Sequence, residues 1–443
     1  MQAGSGDRVI VQKFSGNLDG RVLVPTSKSI TNRAIMIALC SEGVSTIRNP
    51  LQSDDTRAGI EAARVLGCAV EEADECVTIR GIGRERPVSQ AEIDVRSAGT
   101  IARFLPCILS LGAAGSWTLT ASEQMKSRPM KGVFDALARL APDSIRSLGR
   151  PGYLPVAVQG GCLAAAETNV SGSISSQYLS GLLLAAPQAD RPLSFVTDGH
   201  IVQRQYVDIT IDCMRAAGAN VEAAPDLSRI VVEPTGYVAR DISVEADAST
   251  ASYFSALPAA LGGSITIPNL SRNSLQPDIR FIEILQKLGC KVDWLGAKEV
   301  RISRPGDLPK LRGNQHFDLN DCSDIALTVA ALSPFADGPI LITGVEHIRN
   351  HECDRVDAMT VALRRTGIEV TERPDGWAIQ PGQPRFADLE TRDDHRMAMA
   401  LTVLGLAGSG VSLDHPNCVG KTCPRFFDLV RDVGAVVTRV PTE

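Results

Sequence analysis

The run Asp278-Ile279-Arg280-Phe281-Ile282-Glu283-Ile284-Leu285-Gln286-Lys287-Leu288-Gly289-Cys290-Lys291-Val292-Asp293-Trp294 carries the pattern from which the fold is read. Ile279, Ile282, Leu285 and Leu288 recur at helical spacing and give the helix one apolar face. Gly289 supplies a left-handed stop, and the alternation after it predicts a strand. The same order returns at residues 56–67 into 68–71, 206–218 into 219–223, 354–367 into 368–371 and 425–434 into 435–439. A sixth copy at 131–141 is weaker, because Ala141-Pro142-Asp143 stands where the others have glycine.

A second recurring element interleaves with this one. Six polar sequences each open an apolar helix: Ser27-Lys28-Ser29, Ser97-Ala98-Gly99-Thr100, Ser175-Ser176-Gln177, Asp247-Ala248-Ser249, Ser323-Asp324 and Asp393-Asp394-His395-Arg396. They lie roughly 70 to 77 residues apart, a period that marks repeated supersecondary units. Short oxygen side chains in these positions can accept from the first free N–H groups of a helix. Six helix starts gathered in one place would offer backbone donors and positive dipole ends to an anion.

Each repeat then contributes two helices and four short strands in the order βαβαββ. Three repeats per domain close as a pseudo-threefold arrangement with helices inside and sheets outside. Residues 34–40 and 326–332 are apolar enough to be buried all round. A spare strand at 9–14 is expected to pair with the C-terminal half. That would take the chain twice between two domains, one formed by residues 1–25 plus 246–443 and the other by residues 26–245 inserted between them.

Composition narrows the class. A chain of 443 residues exceeds what one core normally supports, and 44% hydrophobic with 22% charged residues suits a globular enzyme. A net charge of -6 and 4% aromatic content argue against a nucleic-acid partner. Eleven cysteines without a CxxC pair suggest reduced thiols and a cytoplasmic home. No apolar run is long enough to span a bilayer, and the opening residues 1–8 lack the apolar stretch of a signal peptide. Neither HExxH, a Cys/His cluster nor a Walker-type loop occurs, so no metal and no cofactor is expected.

The chemistry-bearing segments are Pro25-Thr26-Ser27-Lys28-Ser29-Ile30-Thr31-Asn32-Arg33, Ser97-Ala98-Gly99-Thr100 with Arg103, Lys126-Ser127-Arg128-Pro129-Met130 and Ser175-Ser176-Gln177. In the second half they are Asp318-Leu319-Asn320-Asp321-Cys322-Ser323-Asp324, His351-Glu352-Cys353-Asp354-Arg355, Asp394-His395-Arg396-Met397-Ala398-Met399 and Cys418-Val419-Gly420-Lys421-Thr422. In order and spacing these segments resemble the enolpyruvyltransferase family, most closely its branch acting on shikimate 3-phosphate. The resemblance covers nearly the whole chain. It implies two inverse α/β-barrel-like domains, joined by a double hinge, that close over an active site in the cleft between them.

The reaction implied by the resemblance moves the enolpyruvyl group of phosphoenolpyruvate to the 5-hydroxyl of shikimate 3-phosphate, releasing phosphate. Matched motif by motif, Lys28, Gly99, Arg128, Gln177, Arg355, Arg396 and Lys421 fall to the donor. Ser29, Arg33, Ser175, Ser176, Gln177, Tyr206, Asp324, His347 and His351 fall to the acceptor, a phosphorylated cyclic polyol. Asp324 would take the hydroxyl proton, Glu352 would protonate the methylene, and Lys28 would offset the developing charge. The inventory suits this task independently: a donor with phosphate and carboxylate needs several fixed cations. Addition to an enol ether needs both a base and an acid. Asp394 is expected to orient Arg396, and His395 to pack rather than titrate.

The chain also departs from the family. Lys and Asn are commoner where His351 and His347 stand, Gln203 replaces a usual Ser beside Arg204, and Thr26 and Ser97 replace Gly and Asn. These departures fall mostly on the acceptor side. A paralogue acting on another phosphorylated polyol or a nucleoside monophosphate is therefore a second possibility, and a non-catalytic anion-binding homologue a third. The amino-sugar nucleotide branch fits less well, since residues 121–126 contain no Cys. The expected enzyme is a monomer without nucleic-acid or membrane partners.

Overall fold

In a computed structural model of the chain, residues 7–197 and 199–441 are described. The polar opening at residues 1–6 lies outside the described residues. The chain divides into two compact units, Thr26–Val244 and the combination of Met1–Pro25 with Glu245–Glu443.

In each unit the described residues form three small sheets built to one plan. Gln90–Asp94 runs parallel to Gly115–Thr120, which pairs antiparallel with Val156–Gly160, and Ile145–Ser147 takes the outer place. The same order recurs in Glu167–Asn169, Leu193–Val196, Arg229–Val232 and Val221–Ala223, and in Gln315–Asp318, Ile340–Thr343, Gly376–Ile379 and Val370–Arg373. This is the expected βαβαββ unit.

Two sheets show how the repeats close across the chain's crossings. The strand that should precede the first helix of the Thr26–Val244 unit comes from its far end, where Asp241–Ser243 lies parallel to Ser41–Arg48. In the other unit the first strand of the chain, Arg8–Val11, takes the final place of the last repeat, antiparallel to both Val411–Asp414 and Val437–Val440. Val9 and Val11 are buried in it while Arg8 and Ile10 are half-buried, the alternation expected of a strand with one covered face.

The first helices of the three repeats pack on one another inside each unit. Lys28–Cys40, Gly99–Leu111 and Ser176–Ala185 do so in one, and Ala248–Leu261, Ala326–Leu332 and His395–Ala407 in the other. Every residue of Ala326–Leu332 and of Gly99–Leu111 is buried. In the buried part of His395–Ala407, Thr402 Oγ1 is satisfied within its own helix by donating to Ala398 O at 2.8 Å.

The second helices lie at the sheets and end as read. Gly67, Gly218, Gly289, Gly367 and Gly434 all take positive φ, between 83° and 99°, a conformation in which a Cβ is strained. In the weaker copy Asp143 adopts φ 67° instead. The helix expected from residue 278 divides, with a 3-10 turn at Pro277–Arg280 leading into Phe281–Lys287.

Four of the six polar openings cap their helices as expected. Ser27 Oγ accepts from Ile30 N at 3.4 Å, Ser175 Oγ from Gln177 N at 3.3 Å, Asp247 Oδ1 from Thr250 N at 2.7 Å and Asp394 Oδ1 from Arg396 N at 2.8 Å. The other two differ. Ala98 N bonds Val95 O at 3.0 Å, which closes a turn and moves the cap position onto Ala98, a side chain with no acceptor. Ser97 Oγ instead meets Ser122 Oγ at 2.8 Å. Ser323 lies in the 3-10 turn Ser323–Ile325, and its hydroxyl meets His347 Nε2 at 2.7 Å.

Candidate functional site

In the Glu245–Glu443 part of the chain, eight of the residues singled out in the sequence converge: Asp324, His347, His351, Glu352, Arg355, Asp394, Arg396 and Lys421. Arg355 opens the Arg355–Arg365 helix behind the cap Asp354, and it is 2% exposed. Its Nη2 donates to Glu352 Oε2 at 2.9 Å, and its Nη1 donates to Asp324 Oδ1 at 3.3 Å and His351 Nδ1 at 2.9 Å. Asp394 receives Nε at 2.8 Å and Nη2 at 3.3 Å. A guanidinium has five N–H donors, and each here meets a protein acceptor. Because Arg355 can only donate, His351 Nδ1 accepts and carries no proton.

Two of the three carboxylates held by Arg355 have a second cation. Arg396 Nη2 donates to Asp324 Oδ2 at 2.7 Å, and Lys421 Nζ donates to Glu352 Oε1 at 2.8 Å. Burial works against the charge on Arg355, but Asp394, Glu352 and Asp324 together hold its pKa above the ordinary arginine value. Arg396 is likewise raised: burial opposes its charge, but Asp324, Tyr253, Asp278 and Asp247 together outweigh it. His347 binds Ser323, the neighbour of Asp324, and its ring stands edge-on to that of His351 with centroids 5.9 Å apart. His395 is buried, with Nδ1 3.8 Å from Asp394 Oδ1.

In the Thr26–Val244 unit the predicted residues stand at the helix starts. Lys28 is the first residue of Lys28–Cys40, and its Nζ lies 3.3 Å from buried Asp55. Ser176 and Gln177 open Ser176–Ala185 behind Ser175. Arg128 and Arg103 crowd the opening of Gly99–Leu111: a Cβ on Gly99 would lie 2.6 Å from Arg128 Nη1 and 2.9 Å from Arg103 Nη1. Arg103 Nη1 also donates to Gly99 O at 3.0 Å, and Tyr178 OH to Pro129 O at 2.9 Å, which ties the Arg128 loop to the neighbouring helix start.

Arg33 lies deeper than its neighbours in this group. It is 2% exposed, with Nε on Thr210 Oγ1 at 2.8 Å, Nη1 on Ser29 O at 2.9 Å and Nη2 on Tyr206 O at 3.0 Å. It therefore braces Ser29 and Tyr206 from behind. Sequence reasoning missed Asp55, because Asp54-Asp55 after Ser53 reads as an ordinary acidic first turn. It also missed Asp278, Ser249 and Tyr253, which stand around the Asp324–Arg396 pair without belonging to a charged motif.

The family model of EPSP synthase (3-phosphoshikimate 1-carboxyvinyltransferase) matches residues 13–430. The chain belongs to the EPSP synthase family. It is 42% identical over 422 residues to 3-phosphoshikimate 1-carboxyvinyltransferase 2 of Halalkalibacterium halodurans, covering 95% of this chain and 93% of that one. The 3-phosphoshikimate 1-carboxyvinyltransferase of Methanothermobacter thermautotrophicus is 37% identical over 420 residues, covering 95% and 97%. The solved EPSP synthase of Acinetobacter baumannii superposes with a TM-score of 0.80 at 25% identity, covering 98% of this chain and 100% of that one. As an EPSP synthase family member the chain is a transferase of the two-domain inverted α/β fold. Among the described residues no helix is long and apolar enough to cross a membrane, and no group of three or more His, Cys, Asp or Glu could hold a metal ion.

Proposed function

We propose that this chain transfers the enolpyruvyl group of phosphoenolpyruvate to the 5-hydroxyl of shikimate 3-phosphate, with Asp324 and Glu352 as its proton carriers. The observation behind this reading is that one buried guanidinium, Arg355, bonds both carboxylates at once. Two carboxyl groups fixed relative to each other can serve opposite steps of one reaction.

The chemistry balances on these residues. The acceptor hydroxyl oxygen bonds to C2 of the donor while its proton passes to Asp324. Glu352 adds a proton to the C3 methylene, completing the addition. Since the transferred group keeps its double bond, a proton must leave C3 as the C2–O bond to phosphate breaks; Glu352 takes that proton, and the departing phosphate takes up the one held by Asp324, which restores both acids. Arg128, Arg396, Lys421 and Lys28 balance the phosphate and carboxylate charges, and the uncapped start of Gly99–Leu111 leaves backbone N–H groups for an anion. Ser29, Ser175, Ser176, Gln177, Tyr206, His347 and His351 hold the acceptor, and Arg33 acts through Ser29 and Tyr206. Arg355 supports donor binding while aligning the two acids. In this reading the enzyme works as a cytoplasmic monomer without a cofactor.

A single-turnover assay tests the reading, with phosphoenolpyruvate and shikimate 3-phosphate run beside phosphorylated sugars and nucleosides. The expected result is phosphate release and a product with the mass of shikimate 3-phosphate plus an enolpyruvyl group. An adduct formed only with another acceptor would transfer the reading to a paralogue. No phosphate release with any acceptor would leave an anion-binding protein.

A further inference from the structure

Asp278 is a buried carboxyl that the mechanism above does not use. It sits in the Pro277–Arg280 turn and is 1% exposed. That turn packs against the Ala248–Leu261 helix and against the Ser323–Ile325 turn carrying Asp324. Ser249 Oγ, in the first turn of the Ala248–Leu261 helix, donates to Asp278 Oδ2. Arg396, which bonds Asp324 at 2.7 Å, acts electrostatically on Asp278 as well.

We propose that Asp278 is a positioning residue that governs when Asp324 can take up a proton, the two carboxyl groups sharing the charge of Arg396. The proposal rests on the role of Asp324 as base given above.

The neighbours of Asp278 are few and can be named. The Ala248–Leu261 helix presents Ser249 and, near Arg396, Tyr253, with the cap Asp247 before them. The Ser323–Ile325 turn presents Asp324, preceded by Cys322, whose Sγ receives Arg280 Nη1 at 3.8 Å. The His395–Ala407 helix presents Arg396. Glu283 and Lys287 of Phe281–Lys287 are exposed.

Among these groups, burial first and the charge of Asp324 second push the Asp278 carboxyl up to about 7, against Arg396 and the Ser249 bond. While Asp278 is neutral, Arg396 keeps its bond to Asp324 without a competing carboxylate on the Pro277–Arg280 turn. Once Asp278 ionises, it competes for Arg396 and frees Asp324 to receive the hydroxyl proton. The proton that Asp324 receives comes from the acceptor hydroxyl; Asp278 exchanges its own only with solvent.

The test is the pH profile of kcat at saturating substrates, from about pH 5 to about pH 9, for the wild type and Asp278→Asn. The wild-type rate should rise through the ionisation of Asp278. Asn should abolish that rise and cost roughly three- to tenfold in kcat at about pH 8, with KM for phosphoenolpyruvate changed less than about twofold. A uniform drop with the wild-type profile shape would overturn the proposal. Should Asn prevent folding, Ser249→Ala keeps both carboxyls and removes a bond favouring the ionised form, so the rise should move to higher pH. An unmoved rise would overturn the proposal.

A readout without turnover separates this from the functional reading. The folded-state pKa of Asp278 is raised, so its contribution to stability is complete below the ordinary carboxyl range and lost as pH rises through about 7. Asp324→Asn removes the neighbouring charge and should shift that loss of Tm to lower pH. A wild type inactive on every acceptor, with the Tm shift present, sinks the functional reading alone. An active wild type with neither the rate nor the Tm effect sinks the role of Asp278 alone.

Discussion

Lys421 Nζ lies 2.8 Å from Glu352 Oε1, a bond between residues 69 apart in the chain. Lys421 stands in the turn Pro416–Lys421, while Glu352 precedes the Arg355–Arg365 helix, so two repeats meet at one carboxylate. The other oxygen of Glu352 is held by Arg355. An acid gripped at both oxygens keeps its orientation through repeated proton transfers, and two cations steady its charge when it is ionised.

Glu352→Gln should therefore lower kcat by roughly a hundred- to ten-thousandfold, the usual contribution of a positioned acid or base. The amide keeps the size of the side chain but neither gives up nor takes a proton at the methylene. Donor affinity should change little, because Lys421, Arg396 and Arg128 remain. Rapid-quench measurement of phosphate release against phosphoenolpyruvate concentration checks both numbers. An unchanged kcat would remove Glu352 from the reaction.

Gly99→Ala should raise KM for phosphoenolpyruvate about tenfold with a smaller effect on kcat. The new methyl would sit 2.6 Å from Arg128 Nη1, closer than real Cβ contacts allow, and the guanidinium must yield. Its end is a flexible side chain rather than backbone, and alanine suits a helix start conformationally, so Tm should hold. Arg128→Ala, which deletes the cation outright, should weaken donor binding further. Equal donor affinity in all three proteins would detach Arg128 from the donor.

Much of this arrangement was legible in the sequence. The helix–glycine–strand order predicted five left-handed exits, and Gly67, Gly218, Gly289, Gly367 and Gly434 supply them. The spare N-terminal strand was expected at 9–14, pairing with the C-terminal half; it forms at Arg8–Val11 and completes the last repeat. Local spacing could not reveal the cap at Ala98, because the bond from Ala98 N to Val95 O, which shifts the helix start, depends on the turn's path. Nor could it reveal Asp278. A single Asp before an apolar helix reads as a surface cap, and only the packing of three elements buries it beside Asp324. Arg33 was found by its motif but not its depth, since burial of a guanidinium requires Thr210 and Tyr206, 177 and 173 residues away.

Arg33→Met should cost about 2 to 4 kcal/mol of stability, since Ser29 O and Tyr206 O lose charged donors inside the unit. Methionine keeps part of the apolar contact with Phe104, whose ring centre lies 5.4 Å from the guanidinium carbon. Urea unfolding followed by circular dichroism measures the loss. KM for the acceptor should rise in parallel, because Ser29 and Tyr206 lose their brace. A stable variant with an unchanged acceptor KM would show that Arg33 braces neither.

Cys353, beside Glu352, should be a slow thiol despite being only half-buried. Its Sγ donates to Asp394 Oδ2 at 3.6 Å, and burial first and the Asp394 charge second push the thiol well above its ordinary range. Only the thiolate attacks an alkylating reagent, and a raised pKa removes the thiolate throughout the neutral range. At about pH 8, iodoacetamide should modify Cys353 in the folded enzyme at least roughly tenfold more slowly than in the urea-unfolded chain. The rate should still be climbing at about pH 10, where an ordinary thiol has reached its plateau. Asp394→Asn, with folding checked by Tm, removes the repelling charge and should speed the modification. Peptide mass spectrometry after timed labelling reads the site directly. If Cys353 were among the fastest thiols labelled, the Asp394 contact could not be what holds its proton.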